Sequence, residues 1–220
     1  MPLTDTQKPR WDSIDTVLLD LDGTLLNLDF DNYFWREHVP LHYAAARTLT
    51  PEQARALLVP KFRAREGTLE WYCVEYWSRE LGLDVVALKR QVSERVAWLP
   101  GAREFLERVR EMGKRLVLVT NAHPAALRIK DERTGVTRYF DAVFSSHQFG
   151  SPKEDASFWH GLHRVEPFDR ERTLFVDDSA AVLRAAQQAG IQWIYAVRRQ
   201  DSRDPCGDEE FSAVDSIAEL

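Results

Sequence analysis

The sequence predicts an α/β fold in which a helical insertion follows the first strand of a parallel sheet. The first observation is the apolar run Thr16–Leu19, which ends abruptly at acidic residues, as a strand buried on both faces does. The second is a regular alternation of strand and helix patterns from Pro100 onward. The third is the stretch 28–97, whose apolar residues recur at helical spacing without a convincing strand.

The second half of the chain supplies the remaining elements of this fold. Further strands are predicted at 115–120, 142–145, 173–176 and 192–197. Helices are predicted between them at 102–111, after Pro124, at 154–163 and at 180–189. In the insertion, Thr50 followed by Pro51 indicates a helix start. The predicted division is an α/β core at 11–27 and 98–200, a helical cap at 28–97, and a C-terminal tail with a short helix at 201–220.

The composition is typical of a globular protein, with 220 residues, 44% hydrophobic and 29% charged. A net charge of −6 argues against general affinity for nucleic acids or anionic membranes, but it permits a small phosphorylated substrate. No apolar run is long enough to span a bilayer, and Met1–Arg10 lacks a signal-peptide core. Cys73 and Cys206 show neither disulfide nor metal-ligand spacing. We therefore expect a cytoplasmic protein, for which a monomer is plausible.

Polar residues follow the predicted strands at the points where those strands end. They are Asp20 and Asp22, Thr120 and Asn121, Lys153 in a later loop, and Asp177 and Asp178. Because parallel strands share one direction, three of these groups open onto the same rim of the sheet, and the loop can bring the lysine to them. Gly23 permits a sharp turn beside the first pair. The pattern indicates a site that holds a divalent cation next to a phosphate.

These residue types suit the cleavage of a phosphate ester, which requires a cation, positioned donors and an in-line nucleophile. Carboxylates together with water are suitable ligands for Mg²⁺. Asp20 can attack phosphorus, while Asp22 can protonate the leaving oxygen and later accept a proton from water. Thr120 and the backbone N–H of Asn121 can hold phosphate oxygens, and Lys153 can neutralise charge.

The DxDGT element, the strand-end Thr-Asn pair, the lysine and the Asp-Asp pair resemble the haloacid dehalogenase (HAD) superfamily of phosphatases, in the same order. This resemblance implies a Rossmann-like core with an inserted α-helical cap of the C1 type. It also implies Asp20 as nucleophile, Asp22 as acid and base, and Mg²⁺ as cofactor. The implied metal set is Asp20, the Asp22 carbonyl and Asp178, with Asp177 acting through water or holding Lys153.

Longer stretches resemble the bacterial purine 5′-nucleotidases of this superfamily that act on GMP and IMP. These stretches are 30–35, 71–73, 76–78, 120–124 and 149–155. The resemblance implies a Mg²⁺-dependent phosphomonoester hydrolase that forms an aspartyl-phosphate and whose partner is a purine nucleotide. Tyr33, Trp35 and Trp71 are candidate base contacts, since aromatic rings stack on bases. Helical spacing also allows packing as their role.

Other functions remain compatible with the sequence. A sugar-phosphate phosphatase or a phosphomutase would use the same scaffold, and a non-catalytic binding protein would retain it without turnover. A dehalogenase is disfavoured because Asp22 marks phosphoryl transfer within the resemblance.

His123 precedes Pro124 and is predicted to cap a helix. The remaining histidines show no helical His/Glu metal pattern and are interpreted as structural: His38, His42, His147, His160 and His163.

Overall fold

The computed structural model describes residues 9–198 and 210–220. Within these residues one sheet of six strands has the order β3-β2-β1-β4-β5-β6, and every neighbouring pair is parallel. The strands are β1 (Thr16–Leu19), β2 (Arg115–Thr120), β3 (Ala142–Ser145), β4 (Thr173–Asp177), β5 (Trp193–Val197) and β6 (Ser212–Val214). The predicted α/β class is confirmed.

The central strand β1 is buried on both faces, which explains its unbroken apolar sequence. Val17 and Leu19 belong to the apolar cluster on one face of the sheet, whereas Leu18 belongs to the cluster on the other. In register, Leu19 lies beside Leu118 of β2 and Val176 of β4. The residues that follow these three strands therefore meet at one rim.

The insertion after β1 is helical, as the spacing of its apolar residues predicts. Its helices are α1 (Asp29–Tyr33), α2 (Val39–Arg47), α3 (Pro51–Arg63), α4 (Leu69–Tyr72), α5 (Val74–Leu81) and α6 (Val85–Gln91). A π-helical turn, Phe34–His38, joins α1 to α2. Thr50 and Gln53 form the reciprocal side-chain cap at the start of α3, so the predicted helix start is confirmed.

The apolar interior of the insertion is continuous with one face of the sheet. One cluster of buried side chains contains Phe34, Leu58 and Trp77 from the insertion together with Val17 from β1. The aromatic members pack edge to face, as shown by centroids of Phe62 and Trp77 that lie 5.0 Å apart. This shared interior fixes the position of the insertion above the rim of the sheet.

Four helices connect the later strands. They are α7 (Ala102–Glu111), α8 (Pro124–Thr134), α9 (Ala156–Val165) and α10 (Ala180–Gln188). The bounds of α7 match the prediction, whereas α9 begins two residues later than predicted. The reason is that the backbone N–H of Lys153 donates to the Asn121 side chain and that of Asp155 donates to the Pro152 carbonyl, which holds this loop outside the helix.

The C-terminal segment differs from the prediction of a tail with a short helix. Residues 201–209 lie outside the described residues, but Ser212–Val214 forms β6, which pairs with β5. Only a 3₁₀ turn, Ile217–Glu219, follows. Three strand residues are too few to show the alternation from which a strand is predicted. The division of the chain into core and cap stays a prediction.

Candidate active site

Three carboxylates converge at the rim where β1 and β4 end. Asp20 follows β1, Asp177 is the last residue of β4, and Asp178 follows it. One oxygen from each lies within 4.8 Å of the others, and all three residues are buried. Neighbouring parallel strands place their ends together, so the predicted meeting of these acids is seen in the structure.

Gly23 allows Asp178 to approach the turn that follows β1. Its φ is +88°, in the left-handed region that favours glycine, and a Cβ built there would lie 1.9 Å from Asp178 Oδ2. A side chain at this position would therefore displace the carboxylate from the cluster. The acidic site therefore requires a residue without a side chain at this position of the turn.

Lys153 is the cation that balances these acids, and only 2% of its surface is exposed. Its ammonium donates to Asp20 Oδ1, to Asp177 Oδ2 at 2.7 Å and to the Val119 carbonyl at 3.2 Å. Burial of three charges in one place is costly unless each is paired and hydrogen-bonded. Lys153 therefore holds the end of the β1–β4 pair together.

This buried environment shifts the pKa values of the acids and of the lysine. Burial raises the pKa of Asp20 and of Asp177 to about 6, although Lys153 opposes the rise. Burial lowers the pKa of Lys153, but the carboxylates of Asp177 and Asp20 outweigh burial and keep the pKa above its ordinary value. An all-oxygen donor set with excess negative charge is the kind that hard divalent cations prefer, so these residues fit Mg²⁺.

Asp22 lies in a second network of charges that the sequence analysis did not find. Lys130 of α8 donates to Asp22 Oδ2 and to Asp31 Oδ2, both at 2.6 Å. Lys89 of α6 donates to Asp31 Oδ1 at 2.7 Å, and each lysine side chain is 3% exposed. Burial raises the pKa of Asp22 to about 6 despite Lys130. A carboxyl group that gains and loses a proton near neutral pH suits acid–base work.

Asn121 ties the loop of Lys153 to the end of β2. Its side-chain oxygen accepts from the Lys153 backbone N–H at 2.9 Å, and its amide donates to Glu154 at 3.0 Å. The Tyr72 hydroxyl, from α4 of the insertion, donates to the other oxygen of Glu154 at 2.7 Å. Thr120 Oγ1 accepts from the Ala122 N–H at 3.0 Å, at the same rim. This chain links the insertion directly to the predicted phosphate-binding end of β2.

A cavity of about 650 Å³ lies between the rim and the insertion. It is bordered by the acids and the lysine of the site and, from the insertion, by Trp35, Arg36, Trp71 and Tyr72. This volume is in the range of small-molecule sites. Tyr33 is not part of the lining, since its ring lies beneath the Arg95 guanidinium, 3.7 Å from the ring centroid. Of the predicted aromatic contacts, the structure brings Trp35 and Trp71 to the cavity.

Residues 14–190 match the sequence family described as haloacid dehalogenase-like hydrolase. The chain belongs to this family. The GMP/IMP nucleotidase YrfG of Escherichia coli (strain K12) is 44% identical over 192 residues, which are 87% of this chain and 86% of that protein. The pyrimidine 5′-nucleotidase YjjG of the same organism is 29% identical and matches 96% of both chains.

Solved structures show the same fold for this haloacid dehalogenase-like hydrolase. The crystal structure of a HAD phosphatase from Thermococcus onnurineus superposes with a TM-score of 0.80 at 20% identity. The match covers 94% of this chain and 96% of that one. The predicted family, the Rossmann-like fold and the hydrolase class are thereby confirmed. Among the described residues, none of the helices combines the length and apolar character that a membrane span needs.

The residues that the sequence analysis missed in this hydrolase are those joined by tertiary packing. Lys89, Lys130 and Asp31 come from separate helices, and nothing in the local sequence distinguishes the two lysines from surface residues. Asp31 belongs to the stretch 30–35 that carries the resemblance, but its position there indicated no role. Tyr72 is in a stretch whose aromatic spacing equally indicates core packing. Glu154 follows Lys153 directly within the stretch 149–155, so its position beside the lysine was a local signal.

Replacement of Tyr72 by Phe is expected to weaken the connection between the insertion and the rim. Loss of the hydroxyl leaves one oxygen of the half-buried Glu154 without this donor, which costs about 1 kcal/mol of unfolding free energy. We expect kcat/KM to fall by up to about tenfold, in steady-state assays of phosphate release. The control is Tyr76→Phe, whose hydroxyl bonds the exposed Arg65 side chain. Equal losses in both variants would contradict a specific role for Tyr72.

His123 caps α8, as predicted, because its Nδ1 accepts from the Ala125 N–H at 3.2 Å. His147, in the turn after β3, stacks edge to face against it, with ring centroids 4.6 Å apart. Burial lowers the pKa of both imidazoles, that of His147 from 6.5 to about 4. Both rings are therefore neutral near pH 7.

This depressed pKa makes the stability of the protein depend on pH. Because the unfolded chain binds the His147 proton first, the stabilisation is complete above pH 6.5 and is lost as pH falls towards 4. After allowance for solvent screening of this half-buried ring, we expect the His147 contribution to fall by about 1 kcal/mol between pH 7 and pH 5. The buried acids of the site contribute in the opposite direction, because their raised pKa values favour the folded state at lower pH. In urea unfolding, the change in stability of His147→Gln between pH 7 and pH 5 should differ from that of the wild type by about 1 kcal/mol in favour of the variant, whereas the exposed His160→Gln should follow the wild type. The same pH dependence in both variants would exclude His147 as its source.

Proposed function

We propose that this hydrolase is a Mg²⁺-dependent phosphomonoesterase that acts on purine nucleoside 5′-monophosphates such as GMP and IMP. The observation that carries the reaction class is the convergence of Asp20, Asp177, Asp178 and Lys153 on one buried point of the rim. The extended similarity to a GMP/IMP nucleotidase supports the substrate class. A small phosphorylated substrate accords with the size of the cavity.

The residues that would hold Mg²⁺ are Asp20, Asp178 and the backbone carbonyl of Asp22. Asp177 is assigned the role of holding Lys153, because its Oδ2 accepts from that ammonium at 2.7 Å. Bound Mg²⁺ would neutralise the negative charge of the phosphate and of the carboxylates around it. The depth of these acids excludes bulk water, which strengthens each electrostatic contact.

In the first step an oxygen of Asp20 forms a bond to phosphorus while the bond from phosphorus to the ester oxygen breaks. Asp22 gives its proton to the departing oxygen, so that the nucleoside leaves as an alcohol. In the second step Asp22 takes a proton from water, whose oxygen attacks phosphorus and releases Asp20 with inorganic phosphate. Thr120 and the Asn121 N–H are proposed to hold the phosphate oxygens.

The ion pairs of Asp22 support this double role. Burial and the nearby charges of Asp31 and Asp20 favour the protonated form, whereas Lys130 favours the ionised carboxylate, and the pKa of Asp22 lies at about 6. Asp31 accepts a second hydrogen bond from the Lys130 ammonium. We infer that Lys130 positions Asp22 for proton transfer.

Trp35 and Trp71 are proposed to contact the base. Both rings border the cavity, and both belong to the aromatic group around Trp77, which holds them in place. A flat purine gains stacking energy of about 1–3 kcal/mol against such rings.

A cytoplasmic location and a monomeric state remain predictions of the sequence.

A phosphate-release screen with Mg²⁺ tests this function. The panel contains GMP, IMP, AMP, pyrimidine nucleotides and sugar phosphates. We expect kcat/KM for GMP and IMP to exceed the others by at least about tenfold, since one well-matched pocket contact commonly discriminates by 10–200-fold. Chelation with EDTA should abolish release, and added Mg²⁺ should restore it.

Two other results of the screen would replace this proposal. Preferred release from sugar phosphates would favour a sugar-phosphate phosphatase, and interconversion of glucose phosphates would favour a phosphomutase. Absence of release from every ester in the panel would support a non-catalytic binding protein that retained the fold.

A further inference from the structure

A second cluster of metal-ligand side chains lies where the insertion meets the core. Ligand atoms of Cys73, His123 and His147 lie within 4.8 Å of one another. Glu75 extends the cluster, because its Oε2 is 2.6 Å from His123 Nε2 and 3.7 Å from Cys73 Sγ. Cys73 and Glu75 stand at the start of α5, whereas the two histidines follow β2 and β3. None of the four is one of the acids or the lysine of the rim, although His123 also borders the cavity.

One nitrogen in this cluster lacks a partner. His147 Nε2 is buried and makes no hydrogen bond within the described part of the chain. The other ring nitrogen, Nδ1, lies 3.4 Å from Ser145 Oγ. A buried polar atom without a partner is unfavourable, and it needs a specific explanation in a native structure. A ligand that binds between His147 and His123 would satisfy it.

We propose that Cys73, Glu75, His123 and His147 form a zinc site that joins the insertion to the core. One sulfur, two imidazole nitrogens and one carboxylate oxygen make a tetrahedral donor set of the kind that Zn²⁺ takes. The all-oxygen cluster at the rim suits a hard cation instead, so the two sites select different metals. Zinc–ligand bonds of about 2.0–2.3 Å place the donors roughly 3.3–3.8 Å apart, so Glu75 Oε2 and His123 Nε2, which lie 2.6 Å apart, must separate when zinc binds.

Binding at this site moves two protons. The Cys73 thiol releases its proton to solvent as the sulfur–zinc bond forms. The proton on His123 Nε2 moves to Nδ1, which ends the hydrogen bond that Nδ1 now accepts from the Ala125 N–H. Affinity for zinc therefore rises with pH, and the first turn of α8 loses one cap interaction.

Zinc in this position cross-links two parts of the molecule. Its ligands come from α5 on one side and from the loops after β2 and β3 on the other. The ion takes no part in phosphoryl transfer, and its effect is to restrain the insertion relative to the sheet. Addition of zinc should therefore raise the Tm of the protein.

Titration of the full chain with Co²⁺, in excess Mg²⁺, tests the site. We expect one Co²⁺ per chain with a near-ultraviolet charge-transfer band from the thiolate, and displacement of that band by Zn²⁺. Cys73→Ser and His147→Gln should lose the band. Each of these two variants should lower the affinity for zinc, measured by calorimetry, by at least about 100-fold. Even the loss of a residue that only hydrogen-bonds to a metal ligand typically lowers metal affinity by about 10–100-fold.

The matched control is Cys206→Ser, because Cys206 is the other cysteine of the chain. This variant should keep the band and the affinity. Glu75→Gln, at an exposed side chain, gives a third variant in which the fold is least disturbed, and it should weaken zinc binding as well. Phosphate release in Mg²⁺ confirms that each variant is folded.

Three results would overturn the zinc site. They are a thiolate band that persists in Cys73→Ser, a band that disappears in Cys206→Ser, and wild-type protein without stoichiometric Co²⁺. Zinc binding that survives unchanged in Cys73→Ser and in His147→Gln would likewise exclude the proposed site.

Discussion

Asp20→Asn is expected to abolish phosphate release while leaving the fold intact. The amide has nearly the same shape as the carboxylate but is a far weaker nucleophile towards phosphorus. Loss of a covalent nucleophile typically costs about 10⁴-fold or more in kcat. Lys153 keeps its contact with Asp177, so the buried lysine is not left unpaired. Release of phosphate from GMP in Mg²⁺ measures the effect, and thermal unfolding checks the fold.

The control for this variant is Asp169→Asn, at an exposed residue that caps the short turn before β4. We expect its turnover to stay within about twofold of the wild type, since surface substitutions away from special features change little. Turnover at the wild-type level in Asp20→Asn would remove Asp20 as the nucleophile.

Lys153→Met is expected to have the largest effect on stability. It removes the ammonium that pairs with Asp20 and Asp177, whose side chains are 7% and 1% exposed. Removal of one partner from a buried ion pair typically lowers the unfolding free energy by about 3–5 kcal/mol, because the other charge stays buried without compensation. Urea unfolding in EDTA measures this loss without interference from a bound cation.

The control for the loss of unfolding free energy in Lys153→Met is the variant Lys61→Met. Lys61 also pairs with a carboxylate, that of Glu80, but the two side chains are 42% and 36% exposed. Exposed ion pairs contribute about 0–1 kcal/mol, so this variant should stay close to the wild type. Losses of similar size in the two variants would show that burial of the Lys153 cluster does not control its energetics.

The parts of the fold that the sequence predicted are those with a strong local signal. Helix α7 has a regular apolar stripe and was predicted with its observed bounds. The rim was predicted because Asp20, Thr120 and Asp177 each follow an apolar strand, and parallel strands bring their ends together. These inferences require only periodicity and strand direction.

The unpredicted parts depend on which distant residues pack together. The network of Asp22 joins four positions that lie as far apart as residues 22 and 130, and none of its lysines differs locally from a solvated one. Strand β6 has too few residues to show a pattern. The cluster around His147 likewise has no sequence spacing of a metal site, because its members come from three separate segments.

The apolar cluster that runs from β1 into the helices after it has a consequence for how substrate enters. Swinging those helices away as a rigid flap would expose the apolar surface that they share with the sheet, and it would separate Asp31 of α1 from Lys130 of α8. A wide opening therefore carries a free-energy cost that smaller rearrangements around the mouth of the cleft avoid. Calorimetry should accordingly show both portions of the molecule melting in a single cooperative transition.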